Sequence, residues 1–519
     1  MSKRKRFCMI VVLVAGLLVP SLALASGFKW IGFDAGAIAT GNGQVALGSS
    51  VGVASTNPAL MSRIAPYAGI DFIFYVPQLS INLMDRPANA DVPFVMYDTQ
   101  LDEATTSRDR PLPTVELKNK RADTNVDDPQ YFLALGGMMD MGVKGLRIGG
   151  NIVLPLPEQV NMTTWYSHEQ EQYFSNKVHF QLFGEWSPIV TGILAASYAH
   201  PEWDFISVGV GIQLSVSATA TMGIYMPSIQ ANDYAKGNVD MDMSLFLRPI
   251  IGIQAQPLDW LSIGLTWKLW NRMKVDGAGD MLLWNFRTPP GEDNGSEGWV
   301  PKRVHQDGHN YIIDYEPMEM SLGVGFTYEK LQAQVSATWN HWSDYKDHHA
   351  TRPQDAAEYQ DVVEVDTEGV YEPPVVDGSK YKWSETISAN INLAYSYFDW
   401  ATVKGGFTYS PSPVPTQDGR TNYADSDVWC LALGHRFDFA IKEHNFHAEL
   451  GFQFWYMLQR TVYKDSTQII DEFPDSAKHI FELVPVAAAE GLQTNNPGYP
   501  GYTQKGWLTV GSVNLSYEF

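Results

Sequence analysis

The sequence ends in GWLTVGSVNLSYEF, residues 506–519, and this stretch decides the fold. One set of alternate positions is mostly apolar or aromatic: Trp507, Thr509, Gly511, Val513, Leu515, Tyr517 and Phe519. The positions between are polar: Ser512, Asn514, Ser516 and Glu518. A period of two is that of a β-strand with two different faces. A soluble β-sandwich shows the same alternation, so the pattern alone leaves two fold classes open.

The same alternation recurs upstream in long segments. Apolar and polar residues alternate over 386–397 and again over 318–328, with aromatic residues near the segment ends. Such segments run for roughly 10 to 16 residues, whereas strands of soluble domains have about five or six. Strands of this length suit a tilted crossing of a membrane.

Short and long connections alternate along the chain. Short turns fall near 140–144, 200–204, 256–260, 329–331, 398–400 and 441–445. Long polar connections fall near 82–128, 158–173, 222–239, 274–310, 346–380, 412–426 and 463–503. Thirteen connections imply fourteen strands, the first near 66–79 and the fourth somewhere in 174–199. The sequence therefore predicts an all-β fold over 66–519, a 14-stranded antiparallel transmembrane β-barrel of the Gram-negative outer membrane.

The first 25 residues have the composition of a secretory signal peptide. Lys3 to Arg6 are basic, residues 7–18 are apolar, and Ala23 and Ala25 flank Leu24 as in a cleavage site. The mature chain would keep a single cysteine, Cys430, and thus no internal disulfide. A large exported chain without disulfides is typical of a bacterial envelope protein.

A segment without alternation, residues 26–65, precedes the first strand and is called the hatch segment here. It is rich in glycine, alanine and serine and ends in the motif Asn57, Pro58, Ala59. Asparagine is a favoured helix N-cap and proline suits the first helical position, so a short helix is predicted from Pro58 to Arg63. Two interpretations stay open: a periplasmic linker, or a plug in a lumen too wide for its own side chains to fill.

Two motifs give the chain a family resemblance. One is the small-residue segment ending at Asn57-Pro58-Ala59. The other is FTYSPSPVPTQ at 407–417, which contains Pro413, Val414, Pro415 and Gln417 and leads to Asp425-Ser426-Asp427 and Trp429. Together with the fourteen-strand count they resemble the FadL family of outer-membrane transporters for long-chain fatty acids and hydrocarbons. A weaker likeness is Trp339 to Trp342 followed by Ser343 and Asp344.

The resemblance implies a passive transport route without a cofactor or an enzymatic step. An apolar molecule is captured between the third and fourth outer loops, held in the lumen above a hatch, and released sideways where the third strand kinks. Residues 26–65 resemble that hatch, so the resemblance implies that they plug the lumen. The implied partners are hydrophobic small molecules or fatty acids, together with outer-membrane lipid and lipopolysaccharide around a monomeric barrel. The long outer loops depart from the family pattern, so the resemblance leaves the substrate undefined.

Bulky apolar residues in two outer loops are the candidates for a capture groove. They are Tyr225, Met226, Met281, Leu283, Trp284 and Phe286. Packing of the loops against one another is the competing interpretation, because exposed apolar patches need a partner.

Five cations are candidates for the lumen: Arg248, Lys268, Arg272, Lys404 and Arg420. Arg248 and Lys268 are each ten residues from a turn centred near 258, so we expect them to lie opposite one another, which is unfavourable without an anion. That anion is either a carboxylate of the barrel, such as Glu319 or Glu449, or the carboxylate of a substrate.

The third strand contains residues that weaken pairing. Gly149 and Gly150 lie in its middle, and Pro155 and Pro157 lie at its end. A plain strand end and the lateral gap of the family are both open interpretations.

Composition excludes some functions. The net charge of -22 argues against nucleic acid, which requires a basic face. Histidines and acidic residues in the outer loops form no complete ligand set, so no metal site is predicted. Two other functions remain as alternatives: a barrel enzyme acting on lipids, and a structural or adhesive barrel.

Overall fold

The computed structural model describes residues 32–84, 92–94, 97–98, 103–104, 108–110, 124–126, 129–156, 190–203, 205–222, 236–237, 239–286, 300–345, 382–416, 418, 425–464 and 501–519. The expected signal peptide and the first residues of the hatch segment lie outside these ranges.

Fourteen strands form one closed antiparallel barrel and are numbered β1–β14 in chain order. Their bounds are β1 Tyr67–Leu83, β2 Gln130–Asp140, β3 Leu146–Pro155, β4 Val190–Ala199, β5 Ile206–Met222, β6 Val239–Leu258, β7 Leu261–Lys268, β8 Met318–Tyr328, β9 Leu331–His341, β10 Thr386–Phe398, β11 Ala401–Ser410, β12 Val428–Ile441, β13 His444–Tyr463 and β14 Gly501–Glu518. Pairing of β14 with β1, from Tyr67↔Glu518 to Leu83↔Tyr502, closes the sheet. The predicted fold class is confirmed.

Short turns lie at one end of the barrel and long connections at the other, as predicted. Residues 259–260, 329–330, 399–400 and 442–443 form two-residue turns, and the barrel begins and ends at this same end. The fourth strand, which the sequence placed only loosely, is Val190–Ala199.

The barrel is apolar outside and polar inside. On β14, the outward-facing Val513 and Leu515 are each 51% exposed, whereas the inward-facing Ser512 is 2% exposed. Exposed aromatic residues ring the short-turn end at Trp203, Trp260 and Trp400, and others lie towards the opposite end at Tyr131, Trp267 and Trp507. An apolar outer band between aromatic girdles is the surface of a barrel built to sit in lipid. In the described part of the chain, no helix is long and apolar enough to cross a membrane.

The long connection predicted near 274–310 lies between β7 and β8, and it contains a β-hairpin of Asn271–Phe286 and Val300–Glu316 that the sequence did not predict. The barrel ladder of β7 and β8 ends at Lys268↔Glu319, and the hairpin ladder begins at Asn271↔Glu316. Pro317 lies at the junction and has no N–H to continue a ladder. The strand Lys236–Gly237 pairs with the hairpin at Met281 and Leu282.

The chain also forms short β-strands and short helical turns. Short strands are Val92–Phe94, Tyr97–Asp98, Glu103–Ala104, Arg108–Arg110 and Thr124–Val126. The hatch segment has α-helical turns at Ala35–Ile38 and Val53–Thr56 and a 3-10 helix at Pro58–Arg63, and a second 3-10 helix is Trp342–Asp344. The predicted helix after Asn57 is confirmed, with the Asn57 side chain accepting a hydrogen bond from the Ala59 N–H.

Candidate ligand-binding site

The described part of the hatch segment lies inside the ring of strands. Its main chain and side chains are hydrogen-bonded to strands on several sides of the barrel. The bonds are Ser197 Oγ to Ala59 O at 3.0 Å, Asn57 Nδ2 to Ile253 O at 3.1 Å, Asn390 Nδ2 to Thr40 O at 3.0 Å and Gln453 Nε2 to Ile38 O at 2.9 Å. These donors and acceptors belong to β4, β6, β10 and β13, so the segment must lie within the lumen that the strands enclose.

Glycines on the inner wall allow the hatch segment to approach closely. A Cβ at Gly406 would lie 2.7 Å from Thr40 O, and one at Gly451 would lie 2.5 Å from Ala35 O. A Cβ at Gly252 would lie 2.1 Å from Asn57 Oδ1. These distances are shorter than van der Waals contact, so a side chain larger than glycine would push the segment away from the wall.

Asp34 organises the start of the hatch segment. Its carboxylate accepts hydrogen bonds from the Ala37 N–H at 2.8 Å, from the Gly52 N–H at 2.5 Å and from Ser50 Oγ at 2.9 Å. Burial raises the pKa of Asp34 above its ordinary value. One side chain therefore ties the first helical turn to residues 50–52, which gives the segment a fixed shape.

A continuous apolar wall lines one side of the lumen. It is formed by inward-facing residues of five neighbouring strands, β12, β13, β14, β1 and β2, with Ile38 of the hatch segment at its edge. The buried members are Ile38, Ile73, Tyr75, Leu79, Ile81, Phe132, Ala134, Val428, Cys430, Ala432, Trp455, Met457, Val462, Tyr502, Leu508 and Val510. Each of these residues is 5% exposed or less, so they form a packed apolar cluster on this side of the barrel.

Arg248 and Lys268 share one carboxylate of the barrel. Arg248 Nη2 lies 2.5 Å from Glu319 Oε1, and Lys268 Nζ lies 3.6 Å from Glu319 Oε2. Both cations lie on the inner face of the barrel, but they are not directly opposite: Lys268 pairs with Ile250. The ladder from Ile250↔Lys268 to Ala255↔Ile263 is centred on 259 rather than 258, which shifts the register by two residues, and a register irregularity separates it from the Leu258↔Leu261 pair at the turn.

The Arg248 guanidinium has further partners within the wall. Nε donates to Leu269 O at 2.7 Å, Nη2 donates to Pro317 O at 2.6 Å, and Nη1 lies 3.4 Å from Glu316 Oε2. The two carbonyls lie where the barrel ladder gives way to the outer hairpin. Arg248 therefore holds the end of β7 and the start of β8 together.

Lys404 is also engaged by the barrel. Its Nζ contacts Glu449 and donates to Ser49 Oγ at 2.7 Å. Nearby, Arg436 Nε lies 2.7 Å from Asp438 Oδ1, and Arg436 Nη1 donates to Ser49 O at 3.3 Å. The two remaining charge candidates are less informative: Arg272 is placed on the outer hairpin but without a described side chain, and Arg420 lies outside the described residues.

The SPSPVP run, residues 410–415, closes the outer edge of the apolar wall. Arg460 donates to Val414 O at 3.4 Å, to Pro415 O at 3.1 Å and to Asp425 O at 3.2 Å. Ser412 Oγ donates to Asp425 Oδ2 at 2.7 Å. Burial raises the pKa of Asp425 to about 7. Pro413 is part of this run, and Gln417 lies outside the described residues.

The third strand is regular where it is described. Gly149 and Gly150 pair with Met138 and Gly137 on β2, and both also pair with residues of β4. Pro155 still pairs with Phe132 of β2, and among the described residues the pairing with β4 runs from Leu146 to Val153. The strand ladder of the barrel is therefore continuous at Gly149 and Gly150. Pro157 lies outside the described residues.

The capture-groove candidates are only partly placed. Met281, Leu283, Trp284 and Phe286 lie on the strand Asn271–Phe286 of the outer hairpin, and their side chains are not described. Tyr225 and Met226 lie outside the described residues. Within the described ranges, no three His, Cys, Asp or Glu side chains group closely enough to hold a metal ion.

Comparison with solved structures finds the same architecture. A FadL homologue of Pseudomonas aeruginosa matches with a TM-score of 0.55 and 14% identity, over 95% of this chain and 100% of that chain. The chain has the FadL-type fold. The toluene transporter TodX of Pseudomonas putida matches with a TM-score of 0.45 and 11% identity, over 95% of this chain and 99% of that chain. No protein-family profile matches this FadL-type chain, and no curated protein matches it by sequence.

Sequence reasoning missed three parts of this site: the apolar wall, the role of Arg460 and the contact of Glu316 with Arg248. The wall had a signal in the sequence. In β1 both faces are apolar, since Phe72 is exposed outside while Ile73 and Tyr75 are buried inside. The contacts of Arg460 and Glu316 leave no pattern, because their partners are backbone carbonyls or side chains far along the chain.

Proposed function

We propose that this chain is an outer-membrane channel of the FadL family that passes hydrophobic molecules by diffusion. The apolar wall carries the proposal. Five adjacent strands turn apolar residues inward, although the inner face of a water-filled barrel is normally polar. An apolar solute that reaches this wall is stabilised by roughly 25 cal/mol per Å² of apolar surface removed from water.

The proposed route has three stages. The outer hairpin, with Met281, Leu283, Trp284 and Phe286, captures the molecule; the apolar wall holds it; and it leaves sideways near β3. The hatch segment blocks the direct path to the periplasm. Support for the block is the number of hydrogen bonds and close glycine contacts between residues 32–64 and the wall. Support for the side exit is Pro155 at the end of β3, which has no N–H to donate to a neighbouring strand.

A bulky substitution in the wall tests the function. Ala134 is a buried wall residue, so Ala134→Trp places a bulky ring against Phe132 and Ile73. We expect it to reduce uptake of radiolabelled 1-dodecanol by cells at low concentration several-fold. Ala389→Trp is the matched control, because Ala389 faces outward on β10. Equal uptake by wild type, Ala134→Trp and cells lacking the protein would reject the function.

The proposal includes no enzymatic step. Purified protein is expected to release no fatty acid from phospholipid, which a lipase assay measures. Release above the background of a heat-unfolded sample would favour the lipid-acting enzyme instead.

A further inference from the structure

The outer part of β6 has a strand edge that the barrel does not pair. β5 pairs with β6 as far out as Val239, whereas β7 pairs with β6 only as far out as Ile250. Among the described residues, the edge of β6 on its β7 side therefore has no strand ladder over 239–249, although the Leu269 N–H donates to Pro249 O at 3.0 Å. An unpaired strand edge offers backbone N–H and C=O groups to another segment of chain.

The outer hairpin lies beside this edge. It consists of the strands Asn271–Phe286 and Val300–Glu316, which follow β7 and precede β8, and its first strand lies close to β6. The strand Lys236–Gly237, which precedes β6 along the chain, pairs with the same hairpin strand. In the described chain no strand ladder joins the hairpin to β6. Its position beside β6 therefore depends on side-chain contacts.

Glu316, at the base of the hairpin, makes such contacts. It is the last residue of the hairpin and pairs with Asn271, the first. Its Oε2 accepts a hydrogen bond from Gln213 Nε2 at 3.2 Å and lies 3.4 Å from Arg248 Nη1. Gln213 of β5 and Arg248 of β6 are directly opposite each other in the barrel ladder, and both are buried. Glu316 thus reaches two strands that are not neighbours of β8 in the sheet.

The partners of Glu316 are themselves fixed. The Arg248 guanidinium also donates to two backbone carbonyls and to Glu319, so it is held in one place. Because a guanidinium is a rigid planar group of donors, it can set the position of a carboxylate that pairs with it. Gln213 adds a second donor from another strand. Two donors on adjacent strands thus fix both the distance and the direction of the Glu316 carboxylate.

We propose that Glu316 is the positioning residue of the outer hairpin. Held by Arg248 and Gln213, it keeps the first hairpin strand beside the outer edge of β6 and so keeps the capture residues Trp284 and Phe286 at the outer end of the barrel. The inference rests on the proposed function, because it gives the capture step a surface of fixed position. Glu316 acts through the hairpin and not by touching the ligand.

A distance measurement tests the position of the hairpin. Gln306→Cys, in the middle of the hairpin, and Glu443→Cys, in a turn at the other end of the barrel, carry spin labels for double electron–electron resonance. Cys430 is fully buried and stays unlabelled. The labelled protein should give one narrow distance distribution, and addition of Glu316→Ala should broaden it. Glu316→Gln should stay close to the narrow distribution, because its amide oxygen still accepts from both donors.

Uptake of radiolabelled 1-dodecanol by cells tests what the position serves. Glu316→Ala should raise the half-saturating concentration several-fold and leave the maximal rate near that of wild type, because capture is impaired while passage through the lumen is not. Glu316→Gln should recover most of the wild-type value. Asp259→Ala is the matched control, because it removes an exposed acidic side chain at the opposite end of β6, and it should change neither quantity.

A second variant serves if Glu316→Ala does not assemble. Gln213→Ala removes one of the two donors and leaves the contact of Arg248 with Glu319 intact. It should broaden the distance distribution and raise the half-saturating concentration in the same direction as Glu316→Ala.

The outcomes separate the inference from the proposed function. A narrow distribution in both Glu316→Ala and Gln213→Ala would overturn the inference and leave the channel function standing. A broad distribution with wild-type uptake kinetics would also overturn it, because capture would then not need a fixed hairpin. Dodecanol uptake by wild type no faster than by cells lacking the protein would instead reject the proposed function. A broad distribution and a raised half-saturating concentration, both recovered in Glu316→Gln, would support the inference.

Discussion

The side-chain amide of Asn57 donates a hydrogen bond to the backbone carbonyl of Ile253 at 3.1 Å, and this bond joins the hatch segment to β6. The same amide donates to Val45 O at 2.7 Å, and its oxygen caps the 3-10 helix at Ala59. Asn57 is fully buried. One residue therefore fixes the fold of the hatch segment and its position in the barrel.

Asn57→Ala should loosen the hatch segment by about 3 kcal/mol. Loss of a cap alone costs about 1 kcal/mol, and loss of the two other hydrogen bonds adds about 1 kcal/mol each. The expected result is hydrogen exchange at residues 35–63 about 100-fold faster than in wild type. Asn340→Ala is the control, because Asn340 donates to Thr338 and Ser388 on the barrel wall. Equal exchange in both variants would contradict the anchoring role of Asn57.

Two adjacent glycines on β11 test whether the hatch segment plugs the lumen. A Cβ at Gly406 would collide with Thr40, whereas a Cβ at Gly405 would meet its nearest atoms at 3.6 and 3.8 Å. Gly406→Ala should therefore displace the segment at a cost of about 1–3 kcal/mol. Ion conductance in planar bilayers should rise for Gly406→Ala and stay at the wild-type level for Gly405→Ala. A wild-type conductance for both would mean that residues 32–64 do not limit the pore.

Capture at the outer hairpin is tested by Trp284→Ser combined with Phe286→Ser. Less apolar surface should lower the local concentration of an apolar substrate at the mouth. We expect slower dodecanol uptake at low concentration and nearly normal uptake when dodecanol is abundant. Mobility of the unboiled protein on a gel checks that the barrel is assembled. Uptake at the wild-type rate at all concentrations would assign these residues to packing of the hairpin.

The lumen cations should matter for stability. Arg248→Ala with Lys268→Ala leaves Glu319 buried without its two cations, which should lower the free energy of unfolding by about 3–5 kcal/mol. Adding Glu319→Gln should restore part of that loss, because a neutral amide is less costly to bury than a carboxylate. Urea unfolding measures these changes. Weaker dodecanoate binding at unchanged stability would show instead that the cations hold a ligand.

The sequence predicted the barrel because its outer surface obeys a simple rule. Lipid-facing positions such as Val513 and Leu515 must be apolar, and the turns are short at one end only. Inner features follow no such rule. The two-residue shift between Arg248 and Lys268 depends on the turn at 259–260 together with a register irregularity between Ala255 and Leu258, and no pattern in the sequence marks either.

The candidate site was harder to predict for a topological reason. The apolar wall combines β12, β13 and β14 with β1 and β2, from opposite ends of the chain. They become neighbours only because Tyr67 pairs with Glu518 when the barrel closes. The outer hairpin was missed because apolar and polar residues do not alternate regularly between 271 and 316.

The margin of the apolar wall should be least stable near neutral pH. The pKa of Asp425 is raised to about 7, so this carboxyl group binds more protons in the folded state between about pH 4 and 7. Its contribution is present in acid and is lost as the pH rises to about 7. The pKa of Lys464 is lowered to about 7, so the contribution of this amine is lost as the pH falls from about 10.5 to 7. Both stabilising contributions are therefore at their lowest near pH 7.

Each side of this minimum has its own variant, and each is compared with wild type across the pH range. Asp425→Asn removes the pH dependence that comes from the Asp425 carboxyl group. The difference in the free energy of unfolding between this variant and wild type should change by about 1.4 kcal/mol per pH unit between roughly pH 4 and 7, and should be constant above about pH 7. Lys464→Met removes the pH dependence that comes from the Lys464 amine. The difference in the free energy of unfolding between this variant and wild type should be constant below about pH 7 and change above it. Arg460 and Asp427 lie near Asp425, and Asp418 lies near Lys464, but all three remain in both variants and cancel in the comparison. Urea midpoints between about pH 4.5 and 9 measure both curves. A difference for Asp425→Asn that does not vary with pH would show that Asp425 is ionised throughout, and that burial at the SPSPVP run does not control its charge.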